Sequence, residues 1–437
     1  MERNLAMARR IARMAEEAGG RVYFVGGFVR DGVMGRESKD VDIEIHGMTA
    51  DAVRGMLSEI GPWKEMGASF GVFALRGYTL DIALPRRGGG KGEDADIDPF
   101  MGVEEAARRR DFTMNAMMRD ALTGALIDRF GGQADIQNRV IRHVDEETFR
   151  RDPLRAIRAA QFAARLEFAI APETMALCRT LDLGRLARER VMGEMEKALT
   201  RSRRPSRCFE ALREMEQLEP WLKEVAALIG VKQRADCHPE GDAWTHTMLV
   251  VDEAAKLRDE AKNPTGLMLA ALLHDVGKAV AMQEKDGVIH AYGHETAGVP
   301  LAEDFLRRLT GEKALCRYVL NMVELHMKPN MYAAQNSGQK AWNRLFDRSA
   351  CPEDLLLLAK ADHRGRINAA PYAETERMIR TRLSAFEKMM ARPHITGADL
   401  LARGIQPGEE MGQLLEEAHR LRLAGVKKED ALRQMRL

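Results

Sequence analysis

The sequence predicts an α+β chain, with an α/β head at the N-terminus and helices through the rest. Three observations carry this. Residues 21–27, RVYFVGG, are an apolar run closed by paired glycines, the pattern of a buried strand ending in a turn. Residues 40–47, DVDIEIHG, alternate polar and apolar at period two, the pattern of a half-buried strand. After about Gln137 such patterns stop, and nearly every segment repeats its apolar positions at helical spacing, interrupted by Pro and Gly.

The elements follow in order. Residues 1–20 place arginines and glutamates between apolar positions, which predicts an amphipathic helix rather than an export signal. After the first strand, FVRDGVMG (28–35) reads as a short helix. The alternating strand comes next, then TADAVRGMLSEIG (49–61), a helix capped by Thr49. FGVFALRGYTLDIALP (70–85) reads as two strands joined by a tight Arg-Gly turn. The head is therefore strand, helix, strand, helix and hairpin on a small mixed sheet. Residues 86–99, RRGGGKGEDADIDP, have nothing to bury and read as a mobile loop within the head. A break at 231–244 separates an arginine-rich helical portion from a histidine-bearing one. The expected divisions are a head at 1–136, a helical neck and body at 137–232, a histidine-bearing helical domain at 233–370 and a helical tail at 371–437.

Net charge is +1 at pH 7, which alone points to no nucleic-acid partner. The charge is uneven, however. Arginine outnumbers acid between Arg142 and Arg213, with a knot, TRSRRPSR, at 200–207. Such a face suits a phosphate backbone and is equally ordinary on a solvated helix. The 5 cysteines are scattered, with no Cys-x-x-Cys pair, which argues against a disulfide framework or a thiolate zinc site and for a reducing compartment. No apolar run reaches bilayer-spanning length. The expected location is the cytoplasm, with no membrane and no stable protein partner.

Two constellations bear chemistry. In the first, GGFVRD (26–31) is neither the G-x-G-x-x-G dinucleotide fingerprint nor a G-x-x-x-x-G-K-[ST] loop. Paired glycines between strand and helix still let backbone N–H groups approach an anion, and Arg30 could add a phosphate contact. Asp40 and Asp42 stand at i and i+2 on a strand, so both carboxylates face the same way. Side by side they repel unless protonated or bridged by a cation, and hard oxygen ligands suit Mg²⁺. Asp81, on a later strand, could supply a third carboxylate. A lone D-x-D is also the ordinary solvated side of an amphipathic strand.

The motif VGGFVRD…KDVDIEI resembles the signature of class II tRNA nucleotidyltransferases (CCA-adding enzymes) and their bacterial poly(A) polymerase relatives, within the polymerase-β superfamily. ARRRDFTMNAM (107–117) is similar to that family's Arg-Arg-Asp-Phe-Thr-x-Asn-Ala box, and RDPLRAIRAAQFAARL (151–166) resembles its Asp-Pro-x-Arg-x-x-Arg helix. RLARERVMGEMEKAL and the tail ITGADLLARGIQPGEEMGQLLEE continue the likeness over nearly the whole chain. The resemblance implies a polymerase-β-like nucleotidyltransferase head and template-independent addition of C, C and A to the tRNA 3′ end from CTP and ATP. It implies that Asp40 and Asp42 hold Mg²⁺, with Asp81 as the third carboxylate read from the strand pattern, and that Gly27 and Arg30 contact the triphosphate. By the same likeness Arg110 and Asp111 lie near triphosphate and ribose, with Asn115 fixing their turn, and Asp152 and Arg155 read the base. Arg158, at i+3 from Arg155, orients it or holds phosphate. Arg151 and Gln161 depart from the family pattern, which leaves base preference open.

The second constellation is His246, His274, Asp275, His294, His326 and Asp362. One histidine on an apolar helix is usually a satisfied core residue; six such groups are not one. Imidazole nitrogen with carboxylate oxygen suits a borderline divalent ion such as Mn²⁺, Ni²⁺, Fe²⁺ or Zn²⁺. The spacing His…His-Asp…Asp resembles the HD phosphohydrolase superfamily. That likeness implies one metal held by His246, His274, Asp275 and Asp362, a second completed by His294 and His326, and a phosphate met by Lys278. A nucleotidyltransferase head followed by a complete HD set resembles CCA-adding enzymes whose HD domain has phosphatase and 2′,3′-cyclic phosphodiesterase activity. The expected alternatives are a CC-adding, A-adding or poly(A)-adding specialist of the same fold, and a mainly hydrolytic HD protein with a degenerate RNA-binding head.

Overall fold

The structure is a computed structural model that describes residues 1–38, 40–65, 71–87, 97–234, 238–285 and 288–436. Most of the glycine-rich loop expected at 86–99 lies outside the described residues, as does Cys237. The chain folds as two compact units, one formed by residues 1–194 with 207–217 and the other by 195–206 with 218–437.

The first unit is built on a seven-stranded sheet. Its strands are β1 (Arg21–Phe24), β2 (Val41–His46), β3 (Trp63–Glu65), β4 (Val72–Leu75), β5 (Leu80–Ala83), β6 (Met118–Asp120) and β7 (Leu126–Ile127), in the order β3-β4-β5-β2-β1-β6-β7. Only β2 and β5 run parallel; the other pairs are antiparallel, so the sheet is mixed as expected. Strands β3, β6 and β7 went unread because two or three residues cannot display a period of two; their pairing to a neighbour defines them. The same reason explains the short pair β8 (Val140–Ile141) and β9 (Ala169–Ile170), and the hairpin β10 (Gln283–Lys285) and β11 (Val288–His290), in the portion read as all helix.

Local chemistry sets the ends. Thr49 caps the helix Ala50–Ile60, its side chain accepting from the Ala52 N–H, as the sequence predicts. The helix after β1 begins two residues earlier than expected, at Gly26, and runs to Val33. Gly26 has φ +62°, and a Cβ there would lie 3.7 Å from Asp42 Oδ2. The left-handed turn is what calls for glycine here; a Cβ would meet the carboxylate only at ordinary contact distance.

Strand β2 departs from the half-buried expectation. Its polar residues Glu44 and His46 are also buried. Glu44 meets His46 Nε2 at 2.9 Å and receives Arg110 Nη2 at 2.6 Å, and His46 Nδ1 lies 3.1 Å from the Met101 carbonyl. The polar face is closed over by its own ion network, which satisfies groups that burial would otherwise penalise.

The second unit is helical. The helices Ala243–Leu257, Pro264–Leu273, His294–Leu309, Lys313–Leu325 and Pro352–Arg364 surround a core that includes Leu269, Leu272, Phe305, Val319 and Leu358. Gly277 fixes one crossing: a Cβ there would fall 2.0 Å from the His294 carbonyl oxygen and 2.5 Å from Gly298 N. Any side chain would push the segment that carries His274 and Asp275 away from the helix that begins with His294. No described helix is long and apolar enough to cross a membrane.

Candidate active sites

In the first unit the parallel pairing of β2 and β5 sets Asp42 directly beside Asp81. Both point into a cavity of about 440 Å³ whose walls also include Glu44, Arg86, Arg109 and Arg110. Asp40 is exposed and stands one residue before β2 rather than within it. Burial, reinforced by Asp81 and then by Asp40, raises the Asp42 carboxyl above its ordinary value, while Arg110 works in the opposite direction. Among the described residues, neither the Asp42 nor the Asp81 carboxylate accepts a hydrogen bond. Carboxylates gathered at a cavity with no donor bonded to them are the oxygen set that a hard divalent cation satisfies.

Arg30 is buried, donating to Asp31 Oδ1 at 2.7 and 2.9 Å and to Asn115 Oδ1 at 2.9 Å. Asn115 Nδ2 donates to Asp111 Oδ1 at 2.9 Å, and Arg158 donates to Asp111 Oδ2 at 2.7 and 2.9 Å and to Glu194 at 3.0 Å. Burial alone would raise the Asp111 carboxyl, but Arg158 and Asn115 outweigh it and hold the group below its usual range. Arg30, Asn115, Asp111 and Arg158 thus form one relay that runs from the buried Arg30 to the half-buried Arg158, whose guanidinium is committed to two carboxylates. Arg155 Nη2 donates to the Arg109 carbonyl at 2.7 Å, and its buried Nη1 has no hydrogen-bond partner. Asp152 pairs with Arg190 at 2.7 Å. Gly27 packs against the Arg30 side chain, a Cβ there lying 3.5 Å from Nη2.

In the second unit the six histidines and aspartates named from the sequence converge. Asp275 is central: His274 Nε2 lies 3.2 Å away, His294 Nε2 3.0 Å, His326 Nε2 3.6 Å and His246 Nε2 3.7 Å. Asp362 Oδ1 lies 3.1 Å from His246 Nε2. Ligand atoms of His246, His274 and Asp275 form one candidate group and those of Asp275, His294 and His326 another, sharing Asp275. His274, His294 and His326 turn Nδ1 to the carbonyls of Ala271, Ala291 and Val323, at 2.9, 2.7 and 2.7 Å. His246 turns Nδ1 to Glu240 at 2.8 Å. All four rings therefore aim Nε2 inward, and Nε2 of His274 and His326 is buried without a hydrogen-bond partner. Fixed tautomers with orphaned nitrogens facing a carboxylate are what a divalent-ion site requires. Burial would raise the Asp275 carboxyl, but His274 and Lys278 hold it well below the usual carboxylate range. Lys278 Nζ sits 2.5 Å from Asp275 and 2.6 Å from Gln233.

Glu240 is the residue that sequence reasoning missed. It lies in the stretch read as a break between domains, yet its carboxylate is fully buried and receives both His238 and His246 at 2.8 Å. Its one legible signal is the acid six residues before His246, within HPEGDAWTH.

Comparison with known proteins agrees with both halves of this geometry. Residues 22–142 match the poly A polymerase head domain, 167–229 the probable RNA and SrmB-binding site of polymerase A, and 243–366 the HD domain. The chain is 33% identical over 430 residues to the multifunctional CCA protein of Actinobacillus pleuropneumoniae serotype 5b, covering 93% of this chain and 98% of that one. It is 36% identical over 428 residues to the multifunctional CCA protein of Burkholderia cenocepacia, with the same coverage. In fold it resembles the Bacillus stearothermophilus CCA-adding enzyme solved in complex with CTP, with a TM-score of 0.67, 24% identity, and coverage of 97% of this chain and 94% of that one. With a polymerase head, an HD domain and near full-length relatives above 30% identity, the chain belongs to the multifunctional CCA protein family.

Proposed function

We propose that this protein adds C, C and A to the 3′ end of tRNA from CTP and ATP, without a template, and that its HD domain hydrolyses phosphoesters at damaged 3′ ends. The observation that carries the first part is the in-register pair Asp42 and Asp81 at a cavity walled by Arg86, Arg109 and Arg110. Family membership and the names of the relatives support the same reading. Asp42, Asp81 and Asp40 would hold Mg²⁺, which when bound lowers the pKa of a coordinated hydroxyl and neutralises charge on phosphate. Arg109 and Arg110 oppose the charge of the triphosphate. The 3′-hydroxyl oxygen of tRNA attacks the α-phosphorus, the bond to the β-phosphate oxygen breaks, and pyrophosphate leaves.

Base choice needs donors and acceptors at the Watson–Crick edge. Asp152 offers an acceptor, and the unpartnered Nη1 of Arg155 offers a donor. The relay from Arg30 through Asn115 and Asp111 to Arg158 stiffens the helix that carries Arg155, and Arg155 itself is tied to the Arg109 carbonyl beside the cavity. Arg155→Ala is expected to erode discrimination between the correct and incorrect nucleotide by about 10-fold or more, the scale of one lost polar contact. Competition of CTP against UTP and ATP at the first added position measures it. Unchanged selectivity would remove Arg155 from this role. Arginine-rich helices of the body supply phosphate contacts to tRNA. The cytoplasm is the compartment that holds these substrates.

The HD reading rests on the fixed tautomers and the orphaned Nε2 atoms around Asp275. His246, His274, Asp275 and Asp362, with His294 and His326, would hold a divalent transition metal, which supplies an activated water for phosphoester hydrolysis. Glu240 acts through His246 as a positioning residue. Glu240→Gln is expected to weaken divalent-metal affinity about 10- to 100-fold. Chelator competition monitored by metal content reads this; unaltered affinity would show that Glu240 only fills space.

Product length on tRNA lacking CCA tests the transferase reading. CTP alone is expected to add two residues, ATP alone none, and both together three. A product stopped at two with both nucleotides indicates a CC-adding specialist; a long ATP ladder indicates a poly(A) polymerase.

A further inference from the structure

Beside the histidine cluster lies a cavity of about 280 Å³. Its lining is part polar and charged, with Asp275, His294, Asp362, Lys278 and Arg366, and part apolar and aromatic, with Met282, Ile289, Tyr292 and Met327. At its rim His290 and Tyr292 stack, ring centroids 4.8 Å apart and planes 15° from parallel. Tyr292 keeps 83% of its surface exposed, the largest exposure among the described large hydrophobic side chains. A flat ring pair held open to solvent, two residues from a candidate metal ligand, is an unfilled stacking surface.

We propose that the His290–Tyr292 pair is a nucleobase platform, the part of the HD cavity that selects a phosphoester carrying a base over one without. The base stacks on the aromatic pair, the ribose crosses the apolar part of the lining, and the phosphate lies toward Lys278 and Asp275. The platform rests on the hydrolytic reading above and adds to it the group that distinguishes a nucleotide from any other phosphoester. Size agrees: the cavity is near the lower end of small-molecule sites, about 300 Å³, which admits one nucleotide and no duplex. Every base has a π face, so the platform tolerates whichever residue ends the strand. The shared chemistry, a ribonucleoside 2′,3′-phosphate, arises both at an RNA end and in free mononucleotides.

Tyr292→Trp places a fluorescent reporter in the platform of the metal-loaded protein. Adenosine 2′,3′-cyclic phosphorothioate and a tRNA acceptor stem ending in a cyclic phosphate are each titrated against ribose 2′,3′-cyclic phosphate, which lacks a base. Saturable quenching beyond that of the Tyr292 parent, by a base-bearing ligand and not by the base-free one, is the expected result. Quenching by the stem alone assigns the platform to RNA ends, and by the mononucleotide alone to free nucleotides. Quenching by neither overturns the proposal. In turnover, Tyr292→Ala is expected to lower kcat/KM for adenosine 2′,3′-cyclic phosphate relative to ribose 2′,3′-cyclic phosphate by about 5- to 150-fold, the scale of one base–aromatic stack. Tyr292→Phe, which keeps the ring, is expected to retain the ratio; an unchanged ratio in Tyr292→Ala overturns the platform. Quenching without hydrolysis by any form would keep the platform and defeat the hydrolytic reading alone.

Discussion

Asp42→Ala is expected to reduce incorporation of both CTP and ATP into tRNA lacking CCA by about 10³-fold or more, because a bound metal contributes several kcal/mol to the transition state. The expectation follows from where the strand places this residue. Asp42 is paired in register with Asp81 and flanked by Asp40, and burial with these neighbours raises its carboxyl. Such an arrangement is unfavourable as three bare charges and becomes favourable around a cation. Removing Asp42 takes away the most enclosed of the three ligands. The loss should fall equally on C and A addition, since both use the same triphosphate chemistry. Incorporation that survives in this variant would leave the head as an RNA-binding module and favour the mainly hydrolytic alternative.

His274→Ala and Asp275→Ala are expected to abolish metal-dependent phosphoester hydrolysis and to lower bound transition metal, while CCA addition continues at the parent rate. Asp275 should give the larger loss of metal, because it belongs to two of the three candidate groups and lies within 3.7 Å of four imidazole nitrogens. Each substitution also removes a reason for its neighbours' burial, so metal content is read alongside a melting curve. Full hydrolysis in both variants would assign the histidine cluster a structural role. Stripping the metal with a chelator and restoring it separately with Mn²⁺, Ni²⁺, Fe²⁺ and Zn²⁺ identifies which ion the site uses.

Sequence pattern made the head's first two strands, the Thr49 cap and the hairpin at β4 and β5 legible, because each shows enough residues for a period or a cap to declare itself. It could not show β6 and β7, which are too short, nor the burial of Glu44 and His46, which depends on Arg110 arriving from a distant segment. The histidine cluster was legible by residue type and missed in one member. Glu240 sits between a proline and a glycine, so nothing local marks it as buried; only the folded contact with His246 does. Arg158 shows the same limit. Its spacing from Arg155 suggests a phosphate or orienting contact, whereas the fold gives it Asp111 and Glu194, two buried carboxylates that would be costly without it.

On the proposed function, one chain carries two chemically separate centres that work on one RNA end. The direct measurement is the mass of the 3′ terminus of a tRNA that lacks CCA and ends in a 2′,3′-cyclic phosphate, after incubation with CTP, ATP and divalent metal. The parent protein should yield a CCA-ended product. Water opens the ring at the 3′ oxygen to a 3′-hydroxyl and a 2′-phosphate, or the monoester is then released as inorganic phosphate; Asp42→Ala should yield that opened terminus without extension, and Asp275→Ala should return the cyclic phosphate unchanged. A CCA-ended product from either variant would contradict the assignment of its centre.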